Sequence, residues 1–200
     1  MTNLCTPCTC VCGNPVDAQD AHGLSCIKSA GRQMRHSLIN NELLQTFTRA
    51  GVPTKREPPG LIPGSSLRPD GATVIPWFQG KCLAWDVTFP DTLAASHLSG
   101  TSVSAGSAAK HATTLKLQKY QQLACTHTFV PVAIETIGAI NASGLSLLTM
   151  LGDKCIATSK DRRERMFLFQ RLSMAVQRGN VACCTGSLHP DLFFRDSTEP

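Results

Sequence analysis

Residues 68–89 read RPDGATVIPWFQGKCLAWDVTF, two runs rich in apolar residues on either side of Phe78-Gln79-Gly80-Lys81. Apolar runs flanking a glycine-containing turn predict a hairpin, with strands over about 72–77 and 82–89. In the second strand Leu83, Trp85, Val87 and Phe89 alternate with Cys82, Ala84, Asp86 and Thr88. A strand sends alternate side chains to opposite faces, so the first set points into a core and Asp86 and Thr88 share the other face. Asp70 begins the first strand and Asp86 lies near the end of the second. A hairpin therefore carries both carboxylates to one end of the sheet. Neighbouring carboxylates repel unless a cation joins them, and hard oxygen ligands suit Mg²⁺ or Mn²⁺. Pro-Asp-Gly is also a common turn sequence, so the alternative is a capped loop.

Working outward, Ile39, Leu43 and Phe47 recur every four residues, and Leu44 widens the stripe. That spacing predicts a helix over about 29–50, ended by Gly51 and Pro53. Residues 55–69 are rich in proline and glycine and leave room for one short strand. Glu57 in this stretch is either a third metal ligand or a loop charge. After the hairpin, residues 91–107 are small and polar and predict a loop or a helix lead-in. A helix over about 108–124 follows, then a buried strand over 128–136. Asn141 or Ser143 can cap a helix running to Leu151. A last helix over about 162–178 is expected to stop at Gly179, with a frayed tail from Thr185. Trp77 and Trp85 flank the turn and read as core. This order predicts an α/β fold, a mixed central sheet flanked by helices.

On the helix after the hairpin, Lys116, Lys119 and Tyr120 stand at spacings of three and four and share a broad face. Lys119 continues the line of Ala108, Ala112 and Leu115, so it is expected nearer the core and Lys116 nearer solvent.

The chain has 200 residues, 42% of them hydrophobic, which is enough for a packed core. No apolar run approaches the roughly 18 residues of a membrane span. Met1 to Cys12 is polar and cysteine-rich, unlike a secretory signal. The expectation is a nuclear or cytoplasmic protein, not secreted, with no membrane partner. A net charge of +5 suits a nucleic-acid partner. Arg32, Arg35 and His36 at the start of the long helix, and Arg68 beside Asp70, are candidate phosphate contacts. Arg162, Arg163, Arg165, Arg171 and Arg178 are either further contacts or a solvated face.

Five of the ten cysteines fall in the first 26 residues. Cys10 and Cys12, then His22 and Cys26, supply the four sulfur and nitrogen ligands that tetrahedral zinc favours, and Gly13 suits the tight turn between them. Cys8 can take the place of Cys10, and the Cys5–Cys8 pair can compete. A loop of free thiols is the alternative. Cys82, Cys125, Cys155, Cys183 and Cys184 are scattered and read as small buried hydrophobes. His97, His111, His127 and His189 show no ligand spacing. No cysteine sits in a nucleophile turn with a paired histidine.

Arg68-Pro69-Asp70, the spacing to Asp86-Val87-Thr88, and the later Lys116-Leu117-Gln118-Lys119-Tyr120, behind a Cys/His knuckle, together resemble a particular nuclease. It is the restriction-like endonuclease, of the PD-(D/E)xK fold, at the C-terminal end of site-specific non-LTR retrotransposon proteins. The resemblance runs from about Cys10 to Asn180. It implies a zinc knuckle over 1–28, a restriction-endonuclease-like domain over 29–184 and a flexible tail over 185–200. It also implies DNA nicking at an insertion target, exposing a 3′ hydroxyl for target-primed reverse transcription. Asp70 and Asp86 would bind Mg²⁺ or Mn²⁺, with Lys116, Lys119 and Tyr120 as the remaining catalytic set. DNA would be the partner, together with a reverse transcriptase domain and the element RNA. The general nuclease pattern puts lysine two residues after the second acid, where this chain has Thr88. In the retrotransposon branch the following helix supplies that lysine, which here is Lys116 or Lys119. No polymerase motif is present, so the resemblance is to a fragment of such a protein or to a gene derived from one. The competing function is a zinc-knuckle module that binds nucleic acid without cutting it.

Overall fold

The computed structural model describes residues 5–187. Two short strands, β1 (Cys8–Thr9) and β2 (Pro15–Val16), pair antiparallel and lead into a short helix, α1 (Ala21–Ser25). The long helix α2 (Gly31–Arg49) follows, then β3 (Thr54–Arg56), β4 (Gly71–Thr73) and β5 (Cys82–Thr88). Helix α3 (Ala95–Thr101) forms within the small polar stretch. Then come α4 (Ser107–Lys119), a 3₁₀ turn over Gln121–Cys125, β6 (His127–Ala133), α5 (Ala142–Ser159) and α6 (Glu164–Thr185). Strands β3, β4, β5 and β6 form one sheet in that order, antiparallel except for β5 and β6. The chain is thus a mixed α/β fold with a four-stranded mixed sheet, helices around it, and a Cys/His segment at its N-terminal side. No helix among the described residues is long and apolar enough to cross a membrane.

The hairpin forms, but its first strand is shorter than expected. Thr73 closes it: its hydroxyl donates to the Ile75 carbonyl at 2.7 Å and accepts from the Leu83 amide at 3.0 Å. Pro76 has no amide to continue the ladder, and Val74 and Ile75 are left exposed. Strand β5 is buried on both faces rather than one. Leu83, Trp85 and Val87 enter the main core with Ile39, Leu43 and Phe47 of α2, Leu147 and Leu151 of α5, and Leu168 and Leu172 of α6. Ala84 lies on the opposite side with Ala72, Ile62, Tyr120 and Leu123. Phe47 stacks on Trp85 with ring centroids 4.6 Å apart, and the Trp85 indole N–H donates to Asn40 Oδ1 at 3.0 Å. Trp77 is partly buried against the same core.

Asn141 is the N-cap residue of α5, as expected, but its side chain makes no capping bond and serves the sheet instead. Its Oδ1 accepts from the Ala133 amide and its Nδ2 donates to the Pro131 carbonyl, both at 2.9 Å. The outer edge of β6 is satisfied there by a side chain instead of a fifth strand. Strand β6 ends at Ala133, before the expected boundary.

Helices α5 and α6 both run past their expected stops, because glycine here serves close packing. A methyl group on Gly152 would lie 2.9 Å from Arg165 Cβ; one on Gly179 would lie 2.5 Å from Arg35 Cγ and 2.8 Å from Arg35 Cα. Gly31 likewise lets α2 approach the backbone of Ala182 and Cys183. Of the expected tail, Thr185 ends α6 and Ser187 is buried: its hydroxyl donates toward Asp20 Oδ1 at 3.2 Å and its carbonyl accepts from the Val11 amide. The rest of the tail, with His189, lies outside the described residues. Cys155 and Cys183 are buried as expected, whereas Cys125 is exposed.

An exposed helical Gly→Ala change stabilises by about 1 kcal/mol. Gly179→Ala is expected to do the reverse and destabilise by about 1–3 kcal/mol, the usual cost of overpacking, read from urea unfolding midpoints. Unchanged or higher stability would show that α2 and α6 do not meet at this glycine.

Candidate functional site

The β4–β5 register pairs Gly71 with Trp85, which sets Asp70 beside Asp86 at the end of the hairpin. Asp70 Oδ2 accepts two hydrogen bonds, from the Val87 amide at 2.6 Å and from His36 Nε2 at 2.9 Å. A carboxylate accepts, so the imidazole donates through Nε2. The Asp70 carbonyl accepts from Asn40 Nδ2 at 3.3 Å. Arg32, His36 and Asn40 follow one another at four-residue steps along α2, so one turn-by-turn line of the helix meets Asp70. Its hydrogen bond to Asp70 raises the His36 pKa, outweighing the burial that opposes it.

Asp86 is 4% exposed. Its Oδ2 accepts from the Tyr120 hydroxyl at 2.7 Å. That hydroxyl also lies 2.8 Å from the Arg68 carbonyl, so its single proton is shared between two acceptors. Burial foremost, and then Asp86, push the Tyr120 pKa up, which keeps the phenol a neutral donor. The Lys116 ammonium forms an ion pair with Asp86 Oδ1. That ammonium is the group facing Oδ1, which is otherwise buried without a partner.

These groups line one cleft of about 560 Å³ between α2 and α4. Asp70, Asp86, Lys116, Lys119 and Tyr120 all border it, as do Arg32, Arg35, His36 and Arg68, and Thr88. The two lysines exchange their expected places. Lys116 reaches Asp86, while Lys119 is exposed with its ammonium 5.1 Å from the Tyr120 ring centroid. The inward line of α4 runs through Ala109, Lys116 and Tyr120, and Leu115 points to solvent. Arg35 is 2% exposed: it donates to Asn180 Oδ1 at 2.9 Å and lies over the Phe89 ring. It is therefore a packing residue rather than an open phosphate contact. His36 is turned onto Asp70 rather than outward. Arg32 and Arg68 are exposed at the cleft. Glu57 is exposed in a left-handed turn, φ 43°, and does not border the cleft, which leaves it a loop charge. The arginines of α6 lie elsewhere, with Arg163, Arg165 and Arg171 paired to Asp161, Asp153 and Glu42. Asn40, which joins Trp85 to Asp70, is a site residue that sequence reasoning missed. Its four-residue spacing from His36 was the available signal.

The second constellation is the N-terminal segment. Cys10, Cys12, His22 and Cys26 bring their ligand atoms within 4.8 Å of one another. Cys10 and Cys26 sulfurs are 3.5 Å apart, and Cys12 Sγ is 3.1 Å from His22 Nε2. Zinc–ligand bonds of about 2.0–2.3 Å in a tetrahedron need separations of this order. Gly13, at φ 92°, makes the turn and donates its amide to the Cys10 carbonyl at 2.8 Å. The Asn14 amide foremost lowers the Cys12 pKa to about 6, toward the thiolate that a metal requires. This cluster can hold a metal such as zinc. Cys8 and Cys5 pack beside it but are not among its four ligands, and Cys5 donates instead to the Asp17 carbonyl. The segment is tied to the cleft: Leu24 accepts from Arg35, and Ile27 and Ser29 line the cleft wall.

Set against known protein families and curated proteins, the chain matches none.

The purified chain is expected to carry a single zinc ion. Cys12→Ser and His22→Ala should lose it and Cys8→Ser should keep it, as read by metal analysis. Zinc retained in the first two variants, or lost in the third, would overturn this ligand set.

Proposed function

We propose that the chain is a metal-dependent DNA endonuclease of the restriction-like type, with the Asp70–Asp86 cleft as its active site. The observation that carries this reading is the meeting of Asp70 and Asp86 on adjoining strands in one cleft, with the Lys116 ammonium paired to the buried Asp86 Oδ1. Asp70 Oδ1 accepts no hydrogen bond among the described residues, because both donors converge on Oδ2. Two acids on adjoining strands, one with an open oxygen and the other with an oxygen faced only by the Lys116 ammonium, fit a hard divalent cation that displaces that ammonium. Asp70 and Asp86 would hold it, and when bound Mg²⁺ or Mn²⁺ supplies Lewis acidity at a phosphodiester and eases deprotonation of water.

The protein's own residues divide the remaining work. Lys116 stands beside Asp86 and supplies positive charge where a pentavalent phosphate develops negative charge. Its ammonium takes the part that residue 88, a threonine, cannot. Tyr120 fixes the Asp86 carboxylate. Arg32 and Arg68, exposed at the cleft, take flanking phosphates and would make binding salt-dependent. The zinc segment holds the start of α2 and the cleft wall in place. A restriction-endonuclease-like core agrees with the acidic hairpin at the centre of a mixed sheet. Nicking at a retroelement insertion site, with a reverse transcriptase domain and element RNA as partners, follows from the sequence resemblance.

One observation favours the second reading, a nucleic-acid-binding module that does not cut. His36 and Lys116 already give each acid a partner, so both acids are tolerated without a cation.

Nicking of supercoiled plasmid separates the two. With Mg²⁺ or Mn²⁺ the native chain should nick, and Asp70→Asn and Asp86→Asn should not. Lys116→Met should fall by about 10²–10³, the usual loss of a charge-stabilising donor, and Lys119→Met by less than about tenfold. DNA binding without nicking under either cation would establish the binding module instead.

A further inference from the structure

We propose that His36 is a positioning residue for Asp70, holding its carboxylate so that Oδ1 is the oxygen offered to a cation. This rests on the divalent-cation reading of the cleft. Asp70 immediately precedes β4, and its carbonyl accepts from the Glu57 amide at 3.0 Å. Its side chain is anchored at Oδ2 alone, by the Val87 amide from β5 at 2.6 Å and by His36 Nε2 from α2 at 2.9 Å.

The two anchors come from different layers of the fold, a strand and a helix, and together they stop the carboxylate from rotating. Removing the imidazole leaves a single donor, about which the group can swing. The imidazole is itself well fixed. One turn further along α2, Asn40 bonds the Asp70 carbonyl and the Trp85 indole, so the helix face that carries His36 is locked to the acid's backbone. Asp86 is held in a similar sense, with Tyr120 on its Oδ2 and the Lys116 ammonium facing Oδ1. Each acid thus has its Oδ2 tied by hydrogen bonds; Asp70 Oδ1 is free of them, and Asp86 Oδ1 meets only Lys116. Partners that orient ligating side chains in this way are typically worth about 10–100-fold in metal affinity.

This differs from a phosphate-contact role for His36, which would act on DNA and leave cation affinity alone. Mn²⁺ binding to the zinc-loaded full chain, followed by electron paramagnetic resonance without DNA, separates them. His36→Ala should weaken Mn²⁺ by about 10–100-fold. His36→Gln, whose amide can donate to Oδ2, should recover most of that loss. His36→Phe fills the space without a donor and should weaken binding as alanine does, which covers the case of an unstable alanine variant. DNA affinity in buffer without Mn²⁺ should be unchanged in all three. Native Mn²⁺ affinity in both His36→Ala and His36→Phe, while Asp70→Asn abolishes binding, would overturn the role of His36 and leave the cation site standing. Native affinity in Asp70→Asn would remove the cation site itself, and this inference with it.

Discussion

The fold is organised around a carboxylate in the middle of a strand with no solvent-facing side. Asp86 sits between Trp85 and Val87 on β5, 4% exposed, with an apolar core on one face and Tyr120 and Leu123 on the other. An ionised carboxylate in such surroundings costs several kcal/mol unless partners replace its water. Tyr120 and Lys116 are those partners, and both lie at the C-terminal end of α4. Satisfying one charge therefore fixes where α4 lies against the sheet. The same turn of chain passes into the 3₁₀ segment and β6, so the parallel β5–β6 pairing and the placement of Lys116 are consequences of one constraint.

The opposite wall of the cleft is built by α2. Its apolar line, Ile39, Leu43 and Phe47, packs on Trp85, and the neighbouring line carries His36 and Asn40 to Asp70 and Arg32 to the cleft. The glycines at 31 and 179 let α2 lie close to α6. The end of α6 in turn holds the Cys/His segment through Ser187, Asp20 and Ser29. A metal in the knuckle would thus brace the junction of α2 and α6 and, through it, the helix that bears His36. The knuckle and the acidic cleft are mechanically one unit, although their ligand chemistry differs: soft thiolates in one, hard carboxylates in the other.

Much of this was legible in the sequence because it rests on period and punctuation. The alternation over residues 82–89 marks β5, the hairpin logic brings Asp70 to Asp86, and the cysteine and histidine spacing picks out the four clustered ligands. What was not legible depends on tertiary approach. Leu115 suggested the wrong inward line for α4, because the buried residues of that helix are alanines and the inward-facing residue near its end is a half-buried lysine whose charge is answered by Asp86. Gly179 read as a helix end, since nothing local distinguishes a stopping glycine from one that admits a crossing helix. Arg35 and Arg32 look alike in sequence, yet one is packed over Phe89 and the other open. Asn141 does stand at the N-cap of α5, but its amide bonds the edge of β6 rather than the helix.

The central claim is that Asp70 and Asp86 share one divalent cation. Anomalous scattering from a Mn²⁺-soaked crystal of the zinc-loaded chain tests it most directly. The account predicts a manganese peak touching both Asp70 and Asp86, with Lys116 moved off Asp86. A crystal with a metal peak at the cysteine–histidine cluster but none between the two acids would contradict it.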